Sequence, residues 1–348
     1  MTSARADTVA DPGGGTLANE YRLLLESCGV VDRSQRGKLA LTGSGALEFL
    51  NGQVTNELMT LRPGEGCYAA FLTHKGKMLG DLRILAVGEA VDAGHENKDA
   101  AEHAATAPAE LLLDTERVAL QGLFDMIRRF KVGYEVELHK RTVERGLLSL
   151  IGPEAAALAG AERLAALEHA NAAVELDGVQ ALAVRTDLGV DLICDAANTQ
   201  ALSAALHARG APAVSEQAAE CLRVERGRPR YGIDLDDSVI PQEAGLNERA
   251  VSFTKGCYVG QETVARLHYK GKPNRHLRGL RLSEPAAPGD ELLLGERPVG
   301  RVGSTILSPR LGPIALALVR REAEPGDTLS VGEHDTSAVV LALPFPPA

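Results

Sequence analysis

Lys255-Gly-Cys-Tyr-Val-Gly-Gln-Glu262, running on into Thr263-Val-Ala-Arg-Leu-His268, is the stretch from which the rest of the chain can be read. Gly256 and Gly260 bracket Cys257 and Tyr258, and a glycine lets the backbone turn where a side chain would penalise it. Cys257 therefore sits on a bend beside the fixed positive charge of Lys255, surroundings that draw a thiol toward its reactive thiolate. The same residues also describe a tight loop whose cysteine is a small buried apolar residue.

The 348 residues are 45% hydrophobic and 24% charged, ordinary for a folded globular chain of two or three domains. Trp is absent and aromatics make up 3%, so the core falls to Ala, Leu and Val. A formal charge of −10 argues against a protein that coats nucleic acid or anionic membrane over its whole surface. No run approaches the ~20 apolar residues of a membrane span and no charged-then-apolar leader opens the chain, so the reading is a cytoplasmic protein. Cys28, Cys67, Cys194, Cys221 and Cys257 are scattered without a Cys-x-x-Cys pair. Neither a disulfide framework nor a metal site follows from that spacing, and no iron–sulfur cluster bound stably by this chain alone is expected.

Working outward, residues 1–16 hold almost nothing to bury and read as a disordered tail. Leu17, Tyr21, Leu24, Leu25 and Cys28 share a helical face. Lys38–Thr42 reads as a strand, a short helix carries Leu47 and Leu50, and Gln53–Glu57 is a polar turn. Gly66–Thr73 and Met78–Val87 read as a hairpin closed by His74-Lys-Gly-Lys77. Alternation sets Leu82 and Ile84 on one face of its second strand, Asp81 and Arg83 on the other. The ordinary expectation is that this polar face is solvated, with Arg83 pairing Asp81. Residues 88–110 read as a mobile surface insertion with His95 and His103 solvated. A strand at Leu111–Leu113, a helix from about Thr115 and a strand through Tyr134, Val136 and Leu138 complete an α+β unit. Beyond it come a strand at Leu147–Ile151, an Ala-rich helix over Pro153–His169, and strands at Val179–Thr186 and Val190–Cys194. Two further helices are capped by Asn198 and Ser215; the second carries Arg223, which could hold an anion or pair with a neighbouring acid. The last seventy residues, with evenly spaced short runs and Pro-Gly turns, read as a small β-barrel.

From Arg266 to Arg281 stand six Lys or Arg residues and no acid, the clearest local charge anomaly of an acidic chain. It reads as a solvated basic strand and loop, or as a site for a phosphate, a carboxylate tail or an RNA backbone.

The octapeptide 255–262 resembles the signature of the YgfZ family of folate-binding proteins, paralogues of the aminomethyltransferase (T-protein) of the glycine cleavage system. Phe-Leu-Asn-Gly-Gln-Val-Thr-Asn56, Lys-Gly-Lys-Met-Leu-Gly-Asp-Leu82, Arg185-Thr186, Glu-Arg-Gly227 and Pro241-Gln-Glu-Ala-Gly245 extend the likeness from about residue 20 to the C-terminus. The resemblance implies a three-domain ring of aminomethyltransferase type around a central hole for tetrahydrofolate, with a ferredoxin-like α+β domain and the C-terminal barrel. The expected borders are 17–62 with 142–230 for a discontinuous folate-binding domain, 63–141 with 231–275 for the second, and 276–348 for the barrel. The resemblance further implies a monomeric accessory protein in iron–sulfur cluster assembly or repair, with iron–sulfur clients such as tRNA-modifying enzymes and a weak tRNA contact. Asp81 falls where the aminomethyltransferases keep the carboxylate that acts on the folate nitrogens, and Arg223 where an arginine faces the folate. Arg185-Thr186 matches the start of their Arg-Thr-Gly-Tyr-Thr-Gly-Glu segment, but continues here as Asp-Leu-Gly-Val-Asp191, without the aromatic and the Glu that hold the pterin. The loop is expected to face the ligand, with Cys257 beside Asp81 as the chemical groups. Lys255, Tyr258, Gln261, Glu262 and Arg266 join Arg185 and Arg223 as expected folate contacts. Two alternatives stand beside this reading: a folate-dependent one-carbon transferase, and a non-enzymatic tRNA- or protein-binding module using residues 266–281.

Overall fold

The computed structural model describes residues 14–88, 108–332 and 335–346. The tail expected up to residue 13 and most of the insertion expected over 88–110, with His95 and His103, lie outside the described residues. Helix α1 (Gly14–Glu26) begins within the span read as tail.

Two antiparallel five-stranded sheets and a barrel make up the chain. The ten strands of the sheets are β1 (Gly29–Asp32), β2 (Gly37–Thr42), β3 (Gly66–Leu72), β4 (Met78–Val87), β5 (Glu110–Thr115), β6 (Glu137–Lys140), β7 (Arg145–Ile151), β8 (Asn171–Leu176), β9 (Val179–Arg185) and β10 (Gly189–Asp195). One sheet has the order β1-β7-β10-β9-β8, the other β3-β4-β5-β2-β6. The helices after α1 are α2 (Ala46–Asn51), α3 (Leu120–Phe130), α4 (Ala155–Leu158), α5 (Thr199–Ala208), α6 (Glu216–Glu225), α7 (Asn247–Ala250) and α8 (Gln261–Lys270). The closed barrel has the order β11 (Arg275–Leu282), β14 (Gly312–Arg320), β13 (Arg297–Ser308), β12 (Glu291–Leu294), β15 (Thr328–Val331) and β16 (Thr336–Leu341). Closure leaves it no free edge.

Each body buries its own core. Phe49, Phe71, Ile84, Leu113 and Ile127 fill that of the second sheet, and Leu148, Leu176, Leu192 and Leu206 that of the first. Ala40, Leu85, Leu112, Leu147, Val184 and Ile193 join the two sheets, so they meet through apolar side chains. The period-2 alternation of β4 makes this arrangement: Leu82 and Ile84 enter the core, while Asp81 and Arg83 turn to the opposite face.

Two expectations change. Strand β2 pairs with β5 and β6, so the chain passes from the first sheet to the second between Asp32 and Gly37, not near residue 62. The Ala-rich helix expected over 153–169 is the single turn α4, because Gly160 takes φ +62 and the chain then runs through turns to His169. A left-handed glycine ends a helix whatever the propensity of the alanines that follow.

Candidate functional site

A cleft open to solvent lies between the two sheets and is bordered by Arg223 of α6 and the segment 228–231. Residues from many separated segments meet on its wall: Arg33 and Arg36, Tyr68 of β3, Asp81 and Arg83 of β4, Glu168 and His169 before β8, Asp187 and Asp191, Arg223, Arg228, Arg230 and Tyr231, and Arg249.

Asp81 is the chemical centre of this wall. It is 6% exposed, and the hydroxyl of Tyr68 donates to its Oδ2 at 2.6 Å. Ala70 pairs with Asp81 across β3 and β4, so Tyr68 reaches the carboxylate along the diagonal of the same face. Burial pushes the Asp81 carboxyl up; the Tyr68 hydrogen bond pulls it down, nearby Glu116 adds to the rise, and the result is about 6. Burial and the charge of Asp81 raise the Tyr68 phenol well above its ordinary value, so Tyr68 is the donor of the pair. A carboxyl poised near neutrality in a cleft has the character of a general acid–base group.

The arginines are mostly occupied. Arg36 donates to both oxygens of Asp114, at 2.9 and 3.0 Å, and also pairs with Glu116. Arg83 bridges Asp114 at 2.7 Å and Asp191 at 2.6 Å. Burial alone would raise Asp114, yet Arg36 and Arg83 together hold it well below the usual carboxylate range. Arg228 meets Asp187 at 3.0 Å, and Arg249 pairs with Glu168 while its guanidinium lies 5.1 Å from the centre of the Tyr68 ring. These ion pairs hold the wall in shape and leave a balanced, polar cavity rather than an anion trap.

The model of the GCVT N-terminal domain matches residues 13–255, and that of the glycine cleavage T-protein C-terminal barrel domain matches residues 275–345. The chain belongs to the glycine cleavage T-protein family. It is 30% identical to the aminomethyltransferase of Streptomyces coelicolor over 95% of this chain and 90% of that one. It is 31% identical to the aminomethyltransferase of Streptomyces avermitilis over the same shares, 95% and 90%. Aminomethyltransferase T of the glycine cleavage system from Bartonella henselae shares the fold, with a TM-score of 0.78 at 22% identity over 95% of this chain and 89% of that one.

Within this T-protein fold the residues singled out from the sequence separate into two groups. Asp81 and Arg223 reach the cavity; Arg185 and the loop residues 255–266 are not on its wall. The face of Asp81 is not solvated as expected, and Arg83 pairs with Asp114 and Asp191 instead of Asp81. Arg223 is saturated: its guanidinium donates to Glu220 at 2.8 and 2.7 Å, Asp234 at 3.1 Å, Ser304 at 2.6 Å and the carbonyl of Arg228. It ties α6 to the barrel. Arg185 donates to the carbonyls of Leu164 and Ala165 and braces the turns before His169.

Lys255 is turned inward, its ammonium held by the carbonyls of Asn51, Val54 and Asn56 at 2.7, 2.9 and 2.6 Å. Burial lowers it to about 8. It therefore closes the end of α2 and the turn after it, and does not face the ligand cavity. Cys257 is exposed, not a buried filler, whereas burial pushes Cys67 and Cys221 up to about 12. Tyr258 is buried in the core of the second sheet, and Arg266 pairs with Glu262 on the surface of α8. Gly260, at φ +85, lets the loop pass against the Thr73 carbonyl of the β3–β4 turn. The basic segment is split between α8 and β11, and Arg275 is spent on Glu243.

Tyr68, Glu116, Glu168, His169, Tyr231 and Arg249 are cavity residues that sequence reading missed. Tyr68 alone carried a signal, standing on the strand that pairs with Asp81. The others come from turns and the single-turn helix α7, whose spacing says nothing.

Proposed function

We propose that this chain binds tetrahydrofolate in the cavity between its sheets and uses Asp81 to move a proton during transfer of a one-carbon unit. The observation that carries this reading is the buried Asp81 carboxyl, raised to about 6 and held by Tyr68 at 2.6 Å. Membership of a family whose relatives are named aminomethyltransferases supports it. The residues present fit such a ligand. Tyr68 and Tyr231 supply the aromatic surface absent after Arg185, Glu168 the missing acid, and Arg228, half-exposed beyond its Asp187 pair, a guanidinium for a carboxylate tail. An amine nitrogen that forms a bond to carbon must lose a proton. Asp81, ionised above about pH 6, accepts it, and Tyr68 holds the carboxylate in place.

Anaerobic calorimetric titration of tetrahydrofolate tests the binding, and formation of methylenetetrahydrofolate with release of ammonia from an aminomethyl donor tests the chemistry. Saturable binding with turnover that Asp81→Asn lowers by roughly 10²–10⁴-fold is expected. Absence of binding to the wild-type chain refutes the reading.

A second reading rests on the exposed thiol of Cys257 in the 255–262 octapeptide. In it the folate-bound chain is a cytoplasmic, monomeric accessory protein for the assembly or repair of iron–sulfur proteins, among them tRNA-modifying enzymes, and Cys257 is its reactive group. Full activity of iron–sulfur enzymes in cells whose only copy is Cys257→Ala removes that role for the thiol.

A further inference from the structure

Among the described residues, nine buried side-chain nitrogen or oxygen atoms lack a hydrogen-bond partner, and three of them gather in one corner of the cavity. They are Nδ1 and Nε2 of His169 and Nε of Arg249. The carboxylate beside the imidazole, Glu168 Oε1, lies 3.7 Å from Nε2, too far for a hydrogen bond. His169 is 6% exposed, and neither ring nitrogen meets a protein donor or acceptor among the described residues. Buried polar groups are normally paired, and an imidazole with both nitrogens bare is costly unless something else completes it.

The backbone of the same residue is also held in an unfavourable state. His169 takes φ +71, a left-handed conformation in which glycine or asparagine is the ordinary occupant. It is kept there by its N–H, which donates to the Arg185 carbonyl at 2.9 Å, and by its carbonyl, which accepts from Asn171 Nδ2 at 3.2 Å. Its Cβ and carbonyl press on β3 at Gly66, where an added Cβ would come within 2.9 and 2.8 Å of them. A bulky imidazole in this place, strained and unpaired, is the pattern of a group kept for a ligand.

The corner adjoins the acid–base group through a continuous row: Asp81 accepts from Tyr68, Arg249 lies over Tyr68, Glu168 pairs with Arg249, and His169 follows. We propose that His169 is a specificity-determining residue which, with Arg249 beside it, takes the donor–acceptor edge of a neutral nitrogen heterocycle. Resting on the function proposed above, this heterocycle is the pterin ring of the folate. A neutral imidazole offers one N–H and one lone pair, and Arg249 Nε adds a second N–H. The ring's lone pair can accept the N–H of a cyclic amide while Arg249 Nε donates to the adjoining carbonyl, whereas a phosphate or carboxylate, having only acceptors, leaves that lone pair bare. Burial, then the charges of Arg83 and Arg249, lower the imidazole to about 3, which keeps it in this neutral form.

The test compares the wild-type chain with His169→Gly and His169→Asn, using tetrahydrofolate, 6-methyltetrahydropterin and p-aminobenzoylglutamate as separate calorimetric probes. His169→Gly is expected to weaken tetrahydrofolate and the pterin fragment up to about ten-fold, from the loss of one neutral hydrogen bond. It should leave p-aminobenzoylglutamate within two-fold and the thermal midpoint unchanged or higher. His169→Asn keeps a donor, an acceptor and the left-handed backbone, and recovers part of the affinity. Wild-type affinity for the pterin fragment in both variants, with tetrahydrofolate still bound, overturns this inference and leaves the folate reading standing. A lowered midpoint with unchanged pterin affinity assigns His169 a structural role and overturns it too. A wild-type chain that binds neither tetrahydrofolate nor the fragment overturns both readings.

Discussion

Asp81→Asn should make this protein more stable at neutral pH while removing its acid–base group. Folding raises the Asp81 carboxyl from 3.8 to about 6. The native state therefore binds this proton more tightly than the unfolded chain does. Stability from this group is fully present below about pH 4 and is lost as pH rises toward 6. The difference is roughly two units, so ionisation costs the native state about 3 kcal/mol above pH 7, at ~1.4 kcal/mol per unit. Asn cannot ionise, matches the shape and can still accept the Tyr68 hydrogen bond, so the variant should gain most of that amount. The assay is urea unfolding of both proteins at several pH values between 4 and 8. The gain should approach 3 kcal/mol at pH 7.5 and shrink well below 1 kcal/mol by pH 4. A gain that is flat with pH, or a loss at pH 7.5, refutes the claim that burial raises this carboxyl. The acid–base role deduced from it would fall as well.

Other outcomes follow from groups that the geometry assigns to the scaffold. Arg223→Ala strands the buried Asp234 and cuts the link from α6 to Ser304 of the barrel, and should cost roughly 3–5 kcal/mol in urea unfolding. If it weakens tetrahydrofolate binding without losing stability, Arg223 is a ligand contact after all. Lys255→Met leaves the carbonyls of Asn51, Val54 and Asn56 without their donor and should cost about 3 kcal/mol, measured by thermal unfolding. Its ligand affinity in calorimetry should stay that of the wild type, because Lys255 is not on the cavity wall.

The sequence exposed the parts of this molecule that repeat a local rule. Pro-Gly turns at even spacing marked the barrel, and alternation in β4 set Asp81 apart from Leu82 and Ile84. The T-protein resemblance turned that separation into a candidate site. The partners of Lys255 and Arg223 were not legible for one common reason: a cation in a motif shows its charge but not what it meets, and both charges are paired inside the scaffold. Glu168 and His169 were hidden for another. Their segment is rich in alanine and reads as a helix, and only the left-handed turn at Gly160 releases it to approach β3. No spacing connects Tyr68, His169 and Arg249, since three-dimensional crossing of the chain is what brings them together.

That crossing has a consequence for how the protein can be divided. The chain enters the first sheet at β1, leaves it for β2 to β6, returns for β7 to β10, and rejoins the core of the second sheet with Tyr231 to Val264. Neither sheet unit is a continuous piece of gene: a fragment ending after Ala211 holds the whole first sheet, but the core of the second runs on to Val264. Only the barrel, from Arg275 to Leu341, is contiguous. A ribosome has therefore released the segment that completes the cavity wall well before the barrel, yet Arg223 finds Ser304 only near the end of synthesis. A nascent or truncated chain lacking the barrel carries the residues of the cavity wall without the Ser304 contact that holds Arg223.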